Sequence, residues 1–438
     1  MKAPVNAYFI LFFAALLVTG CNVTEEKIEL WKGTQNGPKK LADTVGDSSV
    51  PAKLRAKAGV ALVQINEWNL FRKTFSDMPK EDRDEIVLII APMLGEISKG
   101  SVDNEASGPS KEQVDAKDGL YNLLEYAGPK SLAAVQDPLI SWCTQGNLNV
   151  RYKAGNYTIS AVAKKVGARA ADQMTKLLTM DQVAISHIAK LIREINDAAA
   201  LNKASLSYGK TLLKNVKKIT EAHLLAAASI GGTGVANALV ALATNSDLSE
   251  ELQRFSLRAY SQSLGTKYIK PDKKLTEKLF EMAEDTKFDQ FQREETYLTI
   301  AQSATVEDTP RIAKLLKEKD FFWRQVGLRI LMRVDGEGQL EKALKTKMLA
   351  TTKRETADII DWVAKFPKLT PTIRKLLKSK NLFIKAVCVY VLAANGKIDK
   401  DADALKALVN SKSKISKFKH KTLGQAAEAA LKNLKEKG

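Results

Sequence analysis

Ile373-Arg374-Lys375-Leu376-Leu377-Lys378-Ser379-Lys380-Asn381-Leu382-Phe383-Ile384-Lys385-Ala386-Val387 can be laid over Ile312-Ala313-Lys314-Leu315-Leu316-Lys317-Glu318-Lys319-Asp320-Phe321-Phe322-Trp323-Arg324-Gln325-Val326. Each segment reads as the apolar end of one helix, a short polar turn, an Asp or Asn, and a basic residue four positions later. Asn147 precedes Arg151 and Asp289 precedes Arg293 at the same offset. An Asp or Asn side chain accepts hydrogen bonds from the unpaired first-turn amides of a helix, so each segment predicts a turn leading into a capped second helix.

The basic position recurs along the chain. Arg254, Arg293, Arg324, Arg354 and Lys385 are separated by 39, 31, 30 and 31 residues. Arg55, Arg83, Lys117, Arg151, His187, Glu221 and Lys421 extend the series, more weakly at Arg83, His187 and Glu221. A second register runs beside it. Gly128, Gly231, Gly265 and Gly396 follow their marks by 11, 10, 11 and 11 residues, and Gly95 and Gly336 by 12. Gly167 follows by 16, and Asn66 follows Arg55 by 11. Gly and Asn tolerate the left-handed backbone at which helices stop. Each unit therefore reads as helix, turn, capped helix and stop.

A period of 30 to 40 residues with two helices per unit belongs to the alpha-solenoids. The stretch Val50-Pro51-Ala52-Lys53-Leu54-Arg55-Ala56-Lys57-Ala58-Gly59-Val60-Ala61-Leu62 resembles a HEAT repeat of the short bacterial kind. The resemblance covers roughly residues 35–438. It is strong near Arg55, Arg151, Arg254, Arg324 and Lys385, and weak around 80–115 and 185–225. Tetratricopeptide repeats have a comparable period, but their Trp-Leu-Gly-Tyr and Ala-Phe-Pro spacing is absent. The resemblance implies an all-α fold: an alpha-alpha superhelix (HEAT-like/ARM-type solenoid) of about 11 helix-pair repeats over 35–438.

Composition agrees with helix. Gly and Pro number only 24 and 12, and the 45% hydrophobic content is ample for a packed chain. Lys+Arg 68 against Asp+Glu 50 gives a net +18, which favours anionic partners.

The N-terminal segment addresses the compartment. Lys2 precedes the apolar run Ala7–Val18, short for a membrane span, and Val18-Thr19-Gly20-Cys21 closes it. This ending resembles the lipobox of bacterial lipoproteins. The resemblance implies a signal peptide over 1–20, cleavage after Gly20, fatty acylation of Cys21 with palmitate-type chains, and a lipidated tether over 21–34. By the sorting rule of those proteins, Asn22 in place of aspartate implies the outer membrane, facing the periplasm. Nucleic acid is an unexpected partner in that setting. The stretch Glu96–Lys111, with Gly100, Asn104, Gly108 and Pro109, reads as an exposed insertion loop.

Few residues carry the marks of chemistry. Gly232-Thr233-Gly234-Val235-Ala236-Asn237-Ala238 imitates a dinucleotide loop, but Leu224–Ile230 before it reads as helix rather than strand. His187, His223 and His420 lack partners at metal-ligand spacing. Cys143 and Cys388 sit on apolar helices about seven units apart, too far for a disulfide, and are expected as buried free thiols. No enzyme, cofactor, metal or small-molecule substrate is expected. The recurring Arg/Lys marks allow two readings, a positive stripe for an acidic partner or pairing with the Asp or Asn of adjacent turns. The joint recurrence of both members favours pairing. Lys412, Lys414, Lys417, Lys419 and Lys421 fall within ten residues and read either as an anion-binding patch or as the solvated cap of the terminal repeat.

The expected function is that of a membrane-anchored periplasmic binding or scaffold lipoprotein, offering an extended basic surface to a protein or anionic envelope partner. An envelope assembly or structural factor is the alternative, with an enzyme on a helical toroid behind it.

Overall fold

The computed structural model describes residues 23–99, 108–145, 151 and 153–437. The leader, Gly20, Cys21 and Asn147 lie outside the described residues. Among the described residues there are 23 α-helices and no extended strand, Lys414 and Thr422 forming an isolated bridge. The chain is an all-α helical-repeat protein of the solenoid class. It divides into two compact units, the first running up to Asn215 and including Leu225–Gly234, the second comprising Val216–Leu224 and the chain from Val235 onward.

The first unit contains α1 (Glu25–Trp31), α2 (Gly37–Gly46), α3 (Ala52–Gln64), α4 (Trp68–Asp77), α5 (Lys80–Lys99), α6 (Lys111–Leu123), α7 (Leu132–Thr144), α8 (Ile159–Val166), α9 (Ala168–Lys176), α10 (Ile185–Ile195) and α11 (Ala198–Lys214). Helices pack on near neighbours in a row: α2 on α3, α3 on α5, α5 on α6 and α7, α7 on α8, α8 on α10, and α9 on α11. The Ala- and Val-rich run of α3 buries Ala56 through Val63 except Lys57, and Gly59 lets it approach α5. A Cβ there would lie 2.6 Å from Ile90 Cδ1.

Two sequence expectations change here. Residues 25–31, placed in the tether, form α1. Thr24 caps it by accepting from Lys27 N, Ile28 is buried against α2 and α3, and Lys32 Nζ donates to Gln64 Oε1 at 3.1 Å. The buried Ile28, the Lys57–Glu25 ion pair and Lys40 over the Trp31 ring dock this segment together. Of the expected loop 96–111, residues 96–99 continue α5, and residues 100–107 lie outside the described residues.

The chain passes through α12 (Glu221–Ile230) and α13 (Gly232–Leu242). The second unit then contains α14 (Glu250–Gly265), α15 (Lys273–Glu284), α16 (Gln290–Ser303), α17 (Thr309–Ile312), α18 (Phe321–Leu344), α19 (Lys353–Ala364), α20 (Thr370–Leu376), α21 (Leu382–Asn395), α22 (Ile398–Lys406) and α23 (Leu423–Lys437). Helix α18 is two helices joined at a kink, where Asp335 takes the non-helical values φ −151°, ψ 60°. The Asp335 carboxylate accepts from Gly338 N and Gln339 Nε2 at 3.2 and 2.9 Å, capping the second half. With that division, the second helices of successive pairs are α14, α16, the first half of α18, α19, α21 and α23, each packed on the next.

Of the predicted caps, the three that fall on described residues are present. Asp289, Asp320 and Asn381 each accept first-turn amides of α16, α18 and α21. The glycine register has two causes rather than one. Asn66, Gly167 and Gly231 are left-handed helix stops, with φ of 59°, 70° and 68°. Gly95, Gly128, Gly336 and Gly396 are not. Their Cβ atoms would collide with Pro138, Asp84, Leu369 and the Leu392 carbonyl at 2.9 Å or less, so close packing excludes a side chain there. Gly265 ends α14 with open space around it, and Lys267 takes the left-handed conformation beyond.

Candidate functional site

Three of the recurring arginines, Arg55, Arg293 and Arg324, turn toward the backbone of a neighbouring turn or helix. Arg55 is 3% exposed, and its Nη1 and Nη2 meet Asp82 Oδ1 and Oδ2 at 2.6 Å each. Its Nε donates to Val45 O at 2.9 Å, closing the last turn of α2. Arg293 repeats that device ten residues back, Nε to Ala283 O at 2.8 Å, and lies over the Trp323 ring. Arg324 is 2% exposed; Nη1 donates to Glu318 O and Lys319 O, and Nη2 to Glu355 Oε1 at 3.2 Å. The carboxylates so reached, Asp82 and Glu355, stand in the first turn of the next second helix. Pairing between units is therefore real, but its acceptor is not the capping Asp or Asn. Those side chains already serve their own first-turn amides. Between α14 and α16 the rung is neutral: Gln292 Nε2 donates to Gln253 Oε1 at 2.8 Å. Arg354, expected in the same series, is exposed.

First helices carry rungs that the sequence did not reveal. Arg311 meets Glu277 at 2.6 Å and Glu284 at 2.7 Å, and Arg374 grips Asp401 at 2.7 and 2.9 Å. Their partners lie 27 or 34 residues away, and nothing local marks them.

Three buried aspartates hold turns together. Asp84 accepts the amides of Gly128, Lys130 and Ser131 at 3.1, 3.2 and 3.0 Å. Burial pushes its carboxyl pKa up, but these bonds outweigh it and hold the group below the ordinary aspartate value. Asp401 is likewise lowered: burial opposes, and Arg374 with Lys397 N prevails. Asp118 accepts Asn156 N at 2.8 Å, beside the fully buried Lys117, whose Nζ donates to Ala154 O and Tyr157 O at 2.9 and 2.7 Å. Desolvation lowers the Lys117 pKa, with Asp118 acting against it. Cys143 and Cys388 are free and buried, and burial raises each thiol to about 12.

Positive charge is displayed instead by the segment carrying the five candidate lysines. Ile415 and Phe418, 3% and 4% exposed, pin it to the fold; Phe418 stacks on Tyr390 with ring centroids 5.6 Å apart. His420 N donates to Tyr390 Oη at 3.0 Å. The lysines between these anchors do not form one patch. Lys414 and Lys417 line a cleft of about 370 Å³ with Lys345, Lys347, Leu382 and Phe383. Lys419 and Lys421 line a different, shallower depression with Lys432 and Lys435. Lys412 is exposed and lines neither.

The glycine-rich imitation of a nucleotide loop has a packing role. Gly232 and Gly234 lie against Ser205 of α11, and a Cβ at Gly234 would lie 2.4 Å from Ser205 O. Leu224–Ile230 is helical. Among the described residues no three His, Cys, Asp or Glu side chains converge as a metal site, and no helix is long and apolar enough to cross a membrane.

No family model and no curated protein matches the chain. Among solved structures, an engineered protein from the Northeast Structural Genomics Consortium is 18% identical, with 95% of this chain and 99% of that one covered at a TM-score of 0.27. A mutant of Kap121p is 12% identical over 93% of this chain and 50% of its own length, at a TM-score of 0.18. At such scores neither superposition bears on this chain; its fold class rests on its own helix packing.

Proposed function

We propose that this helical-repeat chain is a HEAT-like lipoprotein of the bacterial envelope, held at the membrane through acylated Cys21, that binds a protein or anionic envelope partner. The observation that carries this reading is the division of labour among cations. Arg55 and Arg324 are buried in bonds between units, whereas the Lys412–Lys421 segment is pinned by apolar anchors and leaves Lys412, Lys414, Lys419 and Lys421 exposed. A row of ladder-locked helix pairs offers a preformed surface, so association orders few side chains.

The experiment has two parts. Cells fed an alkyne-bearing palmitate analogue are expected to label the chain, and Cys21→Ser is expected to abolish the label and release the chain from the membrane fraction. Pull-down from detergent-solubilised membranes is expected to recover a partner in stoichiometric amount. Recovery of the chain alone favours the alternative of an assembly or structural factor.

A further inference from the structure

We infer that the cleft between residues 344–350, 381–383 and 414–418 is a docking site for an acidic peptide segment that carries an apolar anchor residue; the inference deepens the binding reading above and rests on it.

The cleft is built where three alternate inter-helix turns of the second unit meet, those after α18, α20 and α22. Its floor is apolar, formed by Leu344, Leu382, Phe383, Ile415 and Phe418. Its rim is basic, with Lys345, Lys347, Lys414 and Lys417, and no Asp or Glu lines it. Lys417 donates to Ala350 O at 2.9 Å and ties residues 414–418 to the turn after α18, whereas Lys345 pairs with Glu341 at 2.7 Å at the end of its own helix. Lys347 and Lys414 are exposed. The cleft opens beside the first turn of α21, whose partial positive charge adds to theirs.

The chemistry selects the occupant. A volume of about 370 Å³ accepts one large apolar side chain and its flanking backbone, not a folded surface. Carboxylates on either side of that anchor would meet lysines contributed by turns far apart in sequence. A lipid surface fits less well, because Ile415 and Phe418 are recessed at 3% and 4% exposure rather than projecting for insertion. A lone phosphate would leave the apolar floor unused.

The test is fluorescence anisotropy of the purified chain with a labelled peptide of four glutamates flanking one phenylalanine. Saturable binding is expected, weakened about tenfold when both Lys347 and Lys414 are changed to Glu, since two attractive charges become repulsive. The control Lys274→Glu/Lys287→Glu carries the same charge change on exposed residues elsewhere in the unit and is expected to bind as the native chain does. Replacing the phenylalanine of the peptide with serine is expected to weaken binding by a similar factor. Circular dichroism checks that each variant folds. Equal loss in the control, insensitivity to the serine change, or tighter binding to phosphatidylglycerol vesicles than to the peptide would overturn the inference. Because peptide binding is read on the isolated chain, its failure is distinct from failure of acylation or partner recovery in cells.

Discussion

Arg55 on α3 and Asp82 on α5 meet end to end, both guanidinium nitrogens 2.6 Å from the two carboxylate oxygens, across 27 residues of sequence. Arg55 is buried and the Asp82 side chain is 27% exposed, so the pair is only partly screened by water. Asp82→Ala leaves a buried guanidinium without its counter-charge and is expected to destabilise the chain by about 3 kcal/mol. A double-mutant cycle with Arg55→Met, followed by urea unfolding, is expected to show a coupling of about 1 to 3 kcal/mol. Additive single effects would mean that the contact stitches nothing.

Gly128 and Gly265 occupy similar places in the register but differ in surroundings. A Cβ on Gly128 would lie 2.5 Å from the Asp84 carboxylate, whereas Gly265 has nothing within 4 Å. Gly128→Ala is therefore expected to cost about 2 kcal/mol by overpacking. Gly265→Ala is expected to be neutral or to stabilise by about 0.5 kcal/mol through the unfolded chain. Thermal melts of the two variants check both signs.

Acid should act through the buried and half-buried carboxylates. Asp84, Asp401 and Glu355 all have pKa values held below the ordinary range in the folded chain. Below the unfolded value of about 4 the unfolded state binds more protons, so their contribution is complete above that pH and is lost as pH falls through the folded values. Urea midpoints should decline across this acid window. Asp84→Asn should lower stability at neutral pH and flatten the acid slope, and an unchanged slope would count against the assignment.

Both cysteines should be inert until the chain opens. With each thiol pushed up to about 12 and buried, a thiol-reactive dye at neutral pH is expected to label neither in the native state and both in urea. Rapid native labelling would show that Cys143 or Cys388 is not in a packed core.

The period and the caps were legible because they act locally. Asp289, Asp320 and Asn381 bond amides two or three residues ahead, so their work is written within one segment. Asn66, Gly167 and Gly231 were legible as stops for the same reason. The ladder acceptors were not. Asp82, Glu355 and Asp401 look like any carboxylate on a solvated helix until a partner 27 to 31 residues away is brought beside them. Gly128 hid in the same way, since the Asp84 carboxylate that excludes a side chain there lies 44 residues away in sequence. The density of lysine at Lys412–Lys421 was plain, but its division between two depressions was not. Ile415 and Phe418, three residues apart, were the available signal that the segment is pinned with its lysines facing different ways.

Each helix pair is held by the pairs beside it. Native-state hydrogen exchange of Arg324→Met, read peptide by peptide within the second unit, measures that dependence. Arg324 bonds the turn at Glu318 and Lys319 and the first turn of α19 at Glu355. Exchange is expected to quicken in residues 313–364 and to stay unaltered in α22 and α23. Protection lost evenly through α23, or retained throughout 313–364, would contradict it.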